Sequence, residues 1–368
     1  MSIEQKNSRW LSLDVFRGIT IALMILVNSP GNRNAYTWLA HSTWNGCTVA
    51  DLVFPFFIVI VGMSSVLAIS TLKIKGKSNK QLFSKIIKRS AFIFMMGLLL
   101  NAFPNHFDFY TIRVLGVLQR IALCYLCSSI LFLTTTIRVQ VIITTALLIG
   151  YWLLMTCFAA IHPLTISNNL VGYLDGMILS AHHLYTPTFD PEGILSTLPA
   201  IASALIGNII GIFLISSRTK KQKLQGMIAA GLILSILGWV WGFIFPINKS
   251  LWSSSYVLWT GGLALLVFAF CFALIEIKQW RSWSKPFNLF GKNAMLVYVL
   301  HVLFLKIQGI ILIHNNHGDL INLRLYITDL LFGNFRLQNA SLFYAMFYTL
   351  FWLFVLKCIN QWRLVQLK

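Results

Sequence analysis

Apolar runs of about twenty residues alternate with short polar segments along nearly the whole chain. An α-helix of about 20 apolar residues is long enough to cross the hydrocarbon core of a lipid bilayer. The pattern predicts about ten membrane-spanning helices, near residues 11–29, 48–72, 84–103, 113–136, 138–160, 194–216, 225–246, 251–276, 287–313 and 340–360. We therefore expect an all-α, polytopic membrane protein in which residues 1–368 form a single transmembrane domain.

The composition agrees with a protein that is surrounded by lipid. Apolar residues make up 57% of the chain, charged residues make up 11%, and the mean hydropathy is +0.75. Soluble proteins carry roughly 25% charged residues, and disordered chains have low hydrophobicity. Both classes are excluded. We expect a multi-pass protein of the cytoplasmic (inner or plasma) membrane, whose first apolar run remains as an uncleaved span because it opens with charged residues.

The basic residues are distributed unevenly between the two sets of predicted loops. Twenty of the 29 Lys and Arg residues lie on one side, in the segments 73–89, 218–223 and 278–285, at Arg138 and near the two termini. The opposite side carries five, namely Arg33, Arg113, Lys249, Arg324 and Arg336. Basic residues accumulate in cytoplasmic loops, so both termini are predicted to be cytoplasmic. This orientation accounts for the net charge of +19, and no nucleic-acid partner is predicted.

The loops predicted to lie outside are long and polar. They hold seven of the eight histidines: His41, His106, His162, His182, His183, His314 and His317. Loops of such length are usually functional. A metal site is not predicted, because adjacent histidines on one helix cannot both face one ion and no zinc-binding spacing is present.

The first predicted span carries polar residues at both ends. Asp14 and Arg17 are three residues apart and share one helix face near the cytoplasmic end. Asn28 lies fourteen residues after Asp14, about 21 Å away at 1.5 Å per residue. The charged pair fits two interpretations, a structural ion pair at the membrane interface or the entrance for an anionic ligand. Ionisable residues inside spans are candidates for a functional site by default.

The second predicted span is preceded by a polar motif that runs from His41 to Pro55. It contains Trp44 and Asn45 and then Asp51, directly before the apolar run. The carboxylate of Asp51 could orient a histidine or pair with a cation. A helix N-cap is the structural alternative for Asp51.

Two further predicted spans carry polar residues within their apolar runs. The fourth contains Gln119 and Arg120, and a buried arginine requires an anion, such as Asp14, Asp51 or a bound phosphate or carboxylate. The ninth contains Asn293 and His301, which lie eight residues apart on one helix face. For His301, a hydrogen-bonded core histidine and a ligand contact are both consistent with the pattern.

Several of these motifs together resemble the heparan-α-glucosaminide N-acetyltransferase family of transmembrane acetyltransferases. They occur in family order from residue 11 to about 305: LDVFRG at 13–18, HSTWNGCTVADLVFP at 41–55, VLGVLQR at 114–120, DPEG at 190–193, PINKSLW at 246–252, and NAMLVY at 293–298 with His301. A version that lacks the luminal N-terminal domain of the animal lysosomal enzyme is similar to prokaryotic members of the family.

The resemblance implies acetyl transfer across a membrane. Acetyl-CoA is used from the cytoplasm as a co-substrate, and the amine of a terminal glucosamine is acetylated on the far side. The family's catalytic histidine corresponds to His41, the asparagine that ends its first core span to Asn28, and the aspartate of its second motif to Asp51. We include a homodimer among the expected partners.

The chemistry of these residue types agrees with that implication. Imidazole, with an ordinary pKa near 6.5, is suited to take a proton from an attacking amine. Asn28 could supply a hydrogen bond to the oxyanion, and Asp51 could fix the tautomer of His41. Transfer through an acetylated His41 remains an alternative. Direct transfer is favoured, because an acetyl-imidazole exposed to water would hydrolyse.

The remaining polar candidates are assigned to one of the two substrates. Those predicted to bind the cofactor are Asp14, Arg17, Gln119, Arg120, Asn293 and His301. Those predicted to bind the acceptor are Trp44, Asn45, Asp190, Glu192 and Lys249. Two other functions fit the same pattern, namely a transporter of amino sugars or glycans and an O-acyltransferase of cell-surface polysaccharide. Transporters often contain inverted repeats, which the sequence does not show.

Overall fold

The computed structural model of the protein describes residues 10–103, 107–315 and 318–366. Two of the predicted outer histidines, His106 and His317, lie outside these residues, as do Lys6, Arg9 and Lys368 from the count of basic residues. Helices dominate the part of the chain that is described.

The described residues form thirteen α-helices and one β-hairpin, with a few short 3-10 and π-helical turns. The first seven helices are α1 (Leu11–Asn28), α2 (Val49–Ile74), α3 (Asn79–Ala102), α4 (Val117–Thr134), α5 (Ile137–Cys157), α6 (Leu170–Leu179) and α7 (Ile194–Ile215). The others are α8 (Lys220–Trp241), α9 (Ser254–Phe272), α10 (Lys285–Lys292), α11 (Ala294–Ile310), α12 (Leu323–Phe332) and α13 (Leu337–Gln366). The strands β1 (Leu312–His314) and β2 (Leu320–Asn322) pair antiparallel between α11 and α12.

Eight of these helices are long and apolar enough to cross a membrane: α1, α2, α4, α5, α7, α8, α9 with its π-helical extension, and α13. A ninth span is formed if α10 and α11 are counted together. The third predicted span corresponds to α3, whose 24 residues include four basic residues in the first half and therefore a shorter apolar run. The prediction of an all-α polytopic membrane protein is confirmed.

The ninth predicted span is not one straight helix. Residues 282–292 and Ala294–Ile310 meet at an angle of 72°. Asn293 lies at the break, where its side-chain amide donates to the carbonyl of Leu289 (2.9 Å). Asparagine competes with helical hydrogen bonding in this way and favours helix ends. The span predicted near 287–313 is therefore bent at Asn293, and the bend was not predicted because average hydropathy does not register a change of direction.

The Cα positions divide the chain into two compact units. Unit 1 comprises the residues up to Leu13, Thr43–Cys47 and Phe54–Gln279, and unit 2 comprises Asp14–Ser42, Thr48–Val53 and Trp280–Lys368. The boundaries fall within α1 and α2, so both helices contribute to both units. A single domain over the whole chain stays a prediction.

Close helix contacts hold unit 1 together. In the contact between α2 and α7, a methyl group added at Gly62 would overlap the carbonyl oxygen of Ala204. Nearby, the buried amide of Asn208 donates to the carbonyl of Ser128 (2.7 Å) and to the side chain of Gln140 (3.3 Å). Small residues and buried hydrogen bonds are the usual means of packing helices in lipid, where burial of apolar surface gives little advantage.

Buried hydroxyl groups link the helices of unit 2. Tyr344 of α13 donates to the side chain of Gln308 in α11 (2.6 Å), and Tyr348 donates to the carbonyl of His301 (2.8 Å). Thr328 of α12 donates to the carbonyl of Gly31, just beyond α1 (3.1 Å). These bonds tie α12 to the end of α1, and α11 to α13.

Candidate active site

The start of α2 is shaped by a hydrogen-bonded turn. Thr48 occupies the N-cap position, and Asp51, three residues later, reaches back so that Oδ2 accepts from the backbone N–H of Thr48 (3.1 Å). A carboxylate at this position satisfies a backbone donor that the helix leaves unpaired. The hydroxyl of Thr48 donates to the carbonyl of Ala40 (2.7 Å), which fixes the preceding loop.

The same carboxylate holds a histidine. Asp51 Oδ1 lies 2.8 Å from Nδ1 of His41, and Oδ2 also accepts from the backbone N–H of Ser42 (3.0 Å). The Asp51 side chain is 1% exposed, whereas that of His41 is 48% exposed. An accessible imidazole is therefore held by a buried carboxylate. The capping role and the histidine-orienting role that the sequence left as alternatives coexist in Asp51.

Asn28, the third residue predicted to be catalytic, is the last residue of α1. Its side chain is exposed, and the buried Ser29 follows it. Helix α1 ends here before the turn that contains Pro30. An accessible amide at this helix end is compatible with contact to a substrate, and its role as an oxyanion donor stays a prediction.

In unit 2, residues predicted to bind the cofactor meet where α1 packs on α10. Arg17 Nη1 donates to Oδ1 of Asp14 (2.9 Å) and to the carbonyl of Gly291 (3.3 Å). Asn293 follows two residues later, at the break before α11. The ion pair expected from the sequence is therefore present, and it joins α1 to α10.

His301 lies further along α11 and is completely buried. Its Nδ1 is 2.9 Å from the carbonyl of Val297, and its ring packs edge-on against Tyr298. Among the described residues, Nε2 of His301 has no hydrogen-bond partner. The local contacts are those of a core histidine, and a cofactor contact stays a prediction.

In unit 1, Arg120 is completely buried and lies 4.9 Å from the ring of Trp252. Its Nη2 donates to the carbonyl of Gly193 (3.2 Å) and to the hydroxyl of Ser196. The hydrogen-bond partners of this arginine are therefore neutral groups at the start of α7, rather than the anion expected from the sequence. Gln119, also buried, donates to the carbonyl of Val114 (3.1 Å).

Three of the residues predicted to bind the acceptor lie in or beside a charged cluster of unit 1. Arg113 forms a two-point ion pair with Asp190, through Nε to Oδ2 (2.8 Å) and Nη2 to Oδ1 (2.5 Å), and also binds Glu192 (2.5 Å). Burial raises the pKa of Glu192, but the opposing effect of Arg113, Arg120 and Lys249 is larger and the net pKa is lowered. Asp190 also accepts from the backbone N–H groups of Tyr185 (3.0 Å) and Glu192 (2.8 Å).

Trp44 and Asn45, the other two residues predicted to bind the acceptor, are also held in unit 1. The indole of Trp44 donates to the carbonyl of Leu164 (2.8 Å) and packs edge-on against Phe189. Asn45 accepts from the side-chain amide of Asn248 (3.1 Å). Trp44 is thus packed beside the segment that leads to Asp190, and acceptor binding by all five residues stays a prediction.

Sequence reasoning missed Asp175, a buried carboxylate in α6. Its Oδ1 accepts from the backbone N–H of Ile194 at the start of α7 (2.8 Å), and its Oδ2 has no hydrogen-bond partner in the described part of the chain. Burial raises its pKa to about 6, against an ordinary value of 3.8. The signal in the sequence was a single acidic residue inside the apolar stretch 170–179.

Two of the other outer histidines contact backbone carbonyl groups. Nδ1 of His183 lies 2.7 Å from the carbonyl of Ile112, and Nδ1 of His314 lies 3.0 Å from that of Gly318. Within the described ranges, no three His, Cys, Asp or Glu side chains are grouped as metal ligands.

Comparison with known proteins places this chain in a family. The sequence profile "Heparan-alpha-glucosaminide N-acetyltransferase, catalytic" matches residues 9–241. Heparan-alpha-glucosaminide N-acetyltransferase from Mus musculus is 30% identical over 358 residues, which cover 80% of this chain and 53% of the mouse protein. The Homo sapiens protein of the same name is 30% identical over 360 residues, with the same coverage. The chain spans about half the length of these curated relatives. Because the profile covers more than half of its residues, the chain belongs to the heparan-alpha-glucosaminide N-acetyltransferase family.

Proposed function

We propose that the protein is an acetyl-CoA-dependent N-acetyltransferase that acts on an amino sugar. The observation that carries the proposal is the pairing of a half-exposed His41 with the buried Asp51 at 2.8 Å. This pair lies within the residues matched by the family profile, and the relatives are named as glucosaminide N-acetyltransferases. The donor is acetyl-CoA from the cytoplasm, and the acceptor is a glucosamine-type amine on the outer side.

The proposed reaction starts with proton removal from the amine. Asp51 accepts the Nδ1 hydrogen of His41, and this leaves Nε2 as the atom that takes the proton. The amine nitrogen attacks the thioester carbonyl, a C–N bond forms, and negative charge develops on the carbonyl oxygen. The amide of Asn28 donates to that oxygen. The C–S bond then breaks, and the proton held by His41 passes to the sulfur of CoA.

Direct transfer is the favoured route over an acetylated His41. The imidazole is 48% exposed, so an acetyl group on its nitrogen would be open to hydrolysis. A direct mechanism requires both substrates to be bound together, whereas a covalent intermediate gives ping-pong kinetics. Exchange of labelled CoA into acetyl-CoA without any acceptor would favour the covalent route.

The remaining predicted site residues divide between the donor and the acceptor. For CoA we assign Asp14, Arg17, Gln119, Arg120, Asn293 and His301, and for the acceptor Trp44, Asn45, Asp190, Glu192 and Lys249. Arg17 supports the first assignment, because its guanidinium is a fixed cation of the kind that binds phosphate. The proposed location is the cytoplasmic membrane, with both termini inside and a homodimer as the assembly to test.

His41→Ala in reconstituted proteoliposomes tests the proposal. With acetyl-CoA on one side and glucosamine on the other, the variant is expected to lose acetyl transfer while its melting temperature and CoA binding are retained. His162→Ala is the matched control, since His162 is a partly exposed histidine of another outer loop that is hydrogen-bonded to Asn168. Normal transfer by His41→Ala contradicts the proposal.

The choice of acceptor distinguishes the alternative functions. Glucosamine, its oligomers and polysaccharides without a free amine should be tested in parallel. Acetylation of hydroxyl groups alone would indicate an O-acyltransferase. Movement of intact sugar across the membrane without consumption of acetyl-CoA would indicate a transporter.

A further inference from the structure

A short segment joins the two residues of the His41–Asp51 pair along the chain. Nine residues separate them, and five of these, Thr43–Cys47, belong to unit 1. The geometry of the pair depends on how this segment is held, because the residues between His41 and the start of α2 form no regular helix and have little stiffness of their own. The contacts that immobilise Thr43–Cys47 are therefore relevant to the reaction.

The segment is fastened to the loop that begins at Pro246. Asn45 and Asn248 form an isolated antiparallel bridge, and the backbone N–H of Gly46 donates to the carbonyl of Ile247 (2.8 Å). The side chains repeat this pairing, since Nδ2 of Asn248 donates to Oδ1 of Asn45 (3.1 Å). Gly46 has φ of +108°, a conformation that glycine adopts readily, so the turn is specific to this residue.

Asn248 is itself rigidly held. It is 1% exposed, whereas Asn45 is exposed. Its side-chain oxygen accepts from the backbone N–H of Leu251 (2.8 Å), and its own backbone N–H donates to the hydroxyl of Ser253 (3.0 Å). The carbonyl of Leu251 in turn accepts from the hydroxyl of Tyr151 in α5 (2.6 Å). Asn248 is therefore held both by its side-chain oxygen and by its backbone, and it provides a firm anchor for an otherwise exposed turn.

We infer that Asn248 is a positioning residue for the reaction, which acts through Asn45 to hold the segment between His41 and Asp51. This inference rests on the proposed function. Asn248 donates one hydrogen bond to the segment, and its remaining bonds hold the donor in place. A small displacement of a catalytic group costs about 10²-fold in rate, so loosening this anchor should lower turnover rather than substrate binding.

Asn248→Ala and Asn45→Ala test the inference by kinetics. Each is expected to lower kcat by about 10- to 100-fold, with KM for acetyl-CoA changed less than about twofold. The double variant should be no slower than Asn248→Ala alone, because both changes remove the same interaction. Additive losses in the double variant, or an unchanged kcat in Asn248→Ala, would overturn the inference.

Asn322→Ala provides the matched control. Asn322 caps α12 in unit 2 by accepting from the backbone N–H of Leu325 (2.9 Å), so its removal should cost stability alone. If this control lowers kcat as much as Asn248→Ala at an equal loss of melting temperature, the kinetic effect is general instability and the inference is wrong.

Hydrogen exchange separates this inference from the proposed function. In Asn248→Ala, the amides of residues 43–47, including that of Gly46, should exchange at least about tenfold faster, while the amides of α7 are unchanged. If the amides of residues 43–47 exchange at an unchanged rate in Asn248→Ala, Asn248 does not anchor this segment, whatever value of kcat is measured. Faster exchange with full kcat rejects positioning but leaves the proposed function intact, and full activity in His41→Ala removes the basis of both.

Discussion

Asp51 and Asp190 are both buried carboxylates that bind a basic side chain, but the two arrangements differ in what is left accessible. Asp51 binds the imidazole of His41, which is about half exposed. Asp190 is completely buried, and both of its oxygens are bound by Arg113, whose guanidinium also binds Glu192 and stacks on Tyr185.

The difference separates an ion pair with an accessible partner from one whose partner is enclosed. The partner of Asp51 is an imidazole that a substrate can reach, and imidazole is a group that takes up and releases protons in catalysis. The partner of Asp190 keeps its charge, because the two carboxylates raise the pKa of Arg113 further against the opposing effect of burial. Ionisable residues in a membrane protein therefore need to be judged by the exposure of the partner as well as by their own burial.

The largest effect is expected for Asp51→Asn, which changes the pair whose histidine is accessible. The amide would donate to Nδ1 of His41 and force the tautomer whose Nε2 carries a hydrogen and cannot accept a proton. We expect kcat to fall on the order of 10³- to 10⁴-fold. Acetyl transfer in proteoliposomes and thermal unfolding should be measured together. A loss of folding as large as the loss of activity would make Asp51 a structural residue.

Asp190→Ala should have the next largest effect, on stability. The change leaves Arg113 partly buried with a single carboxylate partner, and breaking a buried ion pair costs about 3–5 kcal/mol. A strong decrease in melting temperature and in the yield of folded protein is the expected result. A variant that melts normally but has a raised KM for the amino sugar would instead place Asp190 in acceptor binding.

Asn28→Ala tests how far the reactive region extends. Loss of one oxyanion donor is expected to lower kcat by about 10²- to 10³-fold. Because the side chain is exposed at the end of α1, the melting temperature should change little. A change confined to KM for the acceptor would reject the oxyanion role and assign Asn28 to substrate binding.

The smallest effect is expected for Asp175→Asn, in the unit that also contains Asp190. Burial raises the pKa of Asp175 to about 6. Between pH 4 and 6 the unfolded chain therefore loses this proton before the folded protein does, and the wild type loses stability as the pH rises through this window. Asparagine avoids that loss and can still accept from the N–H of Ile194. Its melting temperature should exceed that of the wild type by roughly a few degrees at pH 7.5.

The advantage of Asp175→Asn should become small as the pH falls to about 4, because Asp175 is then protonated in the folded protein and partly protonated in the unfolded chain. Melting curves of the two proteins from pH 4 to pH 8 provide the measurement. A wild type that is more stable than the variant at pH 7.5 would show that the carboxylate form of Asp175 is needed in the folded protein.

The predicted spans agree with the helices because length and hydropathy are local properties of the chain. The first predicted span, 11–29, corresponds to Leu11–Asn28, and the second, 48–72, corresponds to Val49–Ile74. The bend at Asn293 was missed, because it depends on the packing of α10, where a methyl group at Gly291 would overlap the carbonyl of Asp14 in α1. The helices of the outer loops, α6 and α12, were also missed, since each has ten residues and is too short to register as a membrane span.

The candidate site was predictable in parts. His41 and Asp51 lie ten residues apart in one motif, so their pairing could be expected as one of two alternatives. The partners of Arg120 were not predictable, because Gly193 and Ser196 are more than seventy residues away and carry no charge. Arg113 was counted only as an outer charge, and the carboxylates that it binds lie 77 and 79 residues further along.

The sequence by itself determined that the chain is an all-α membrane protein, which residues form its spans, and which motifs carry polar side chains. These properties follow from transfer of side chains between water and lipid, which each segment experiences independently. Only the tertiary structure decided which carboxylate holds an accessible imidazole and which is enclosed by arginine. That distinction depends on burial and on hydrogen bonds between distant segments, and these exist only once the helices have packed.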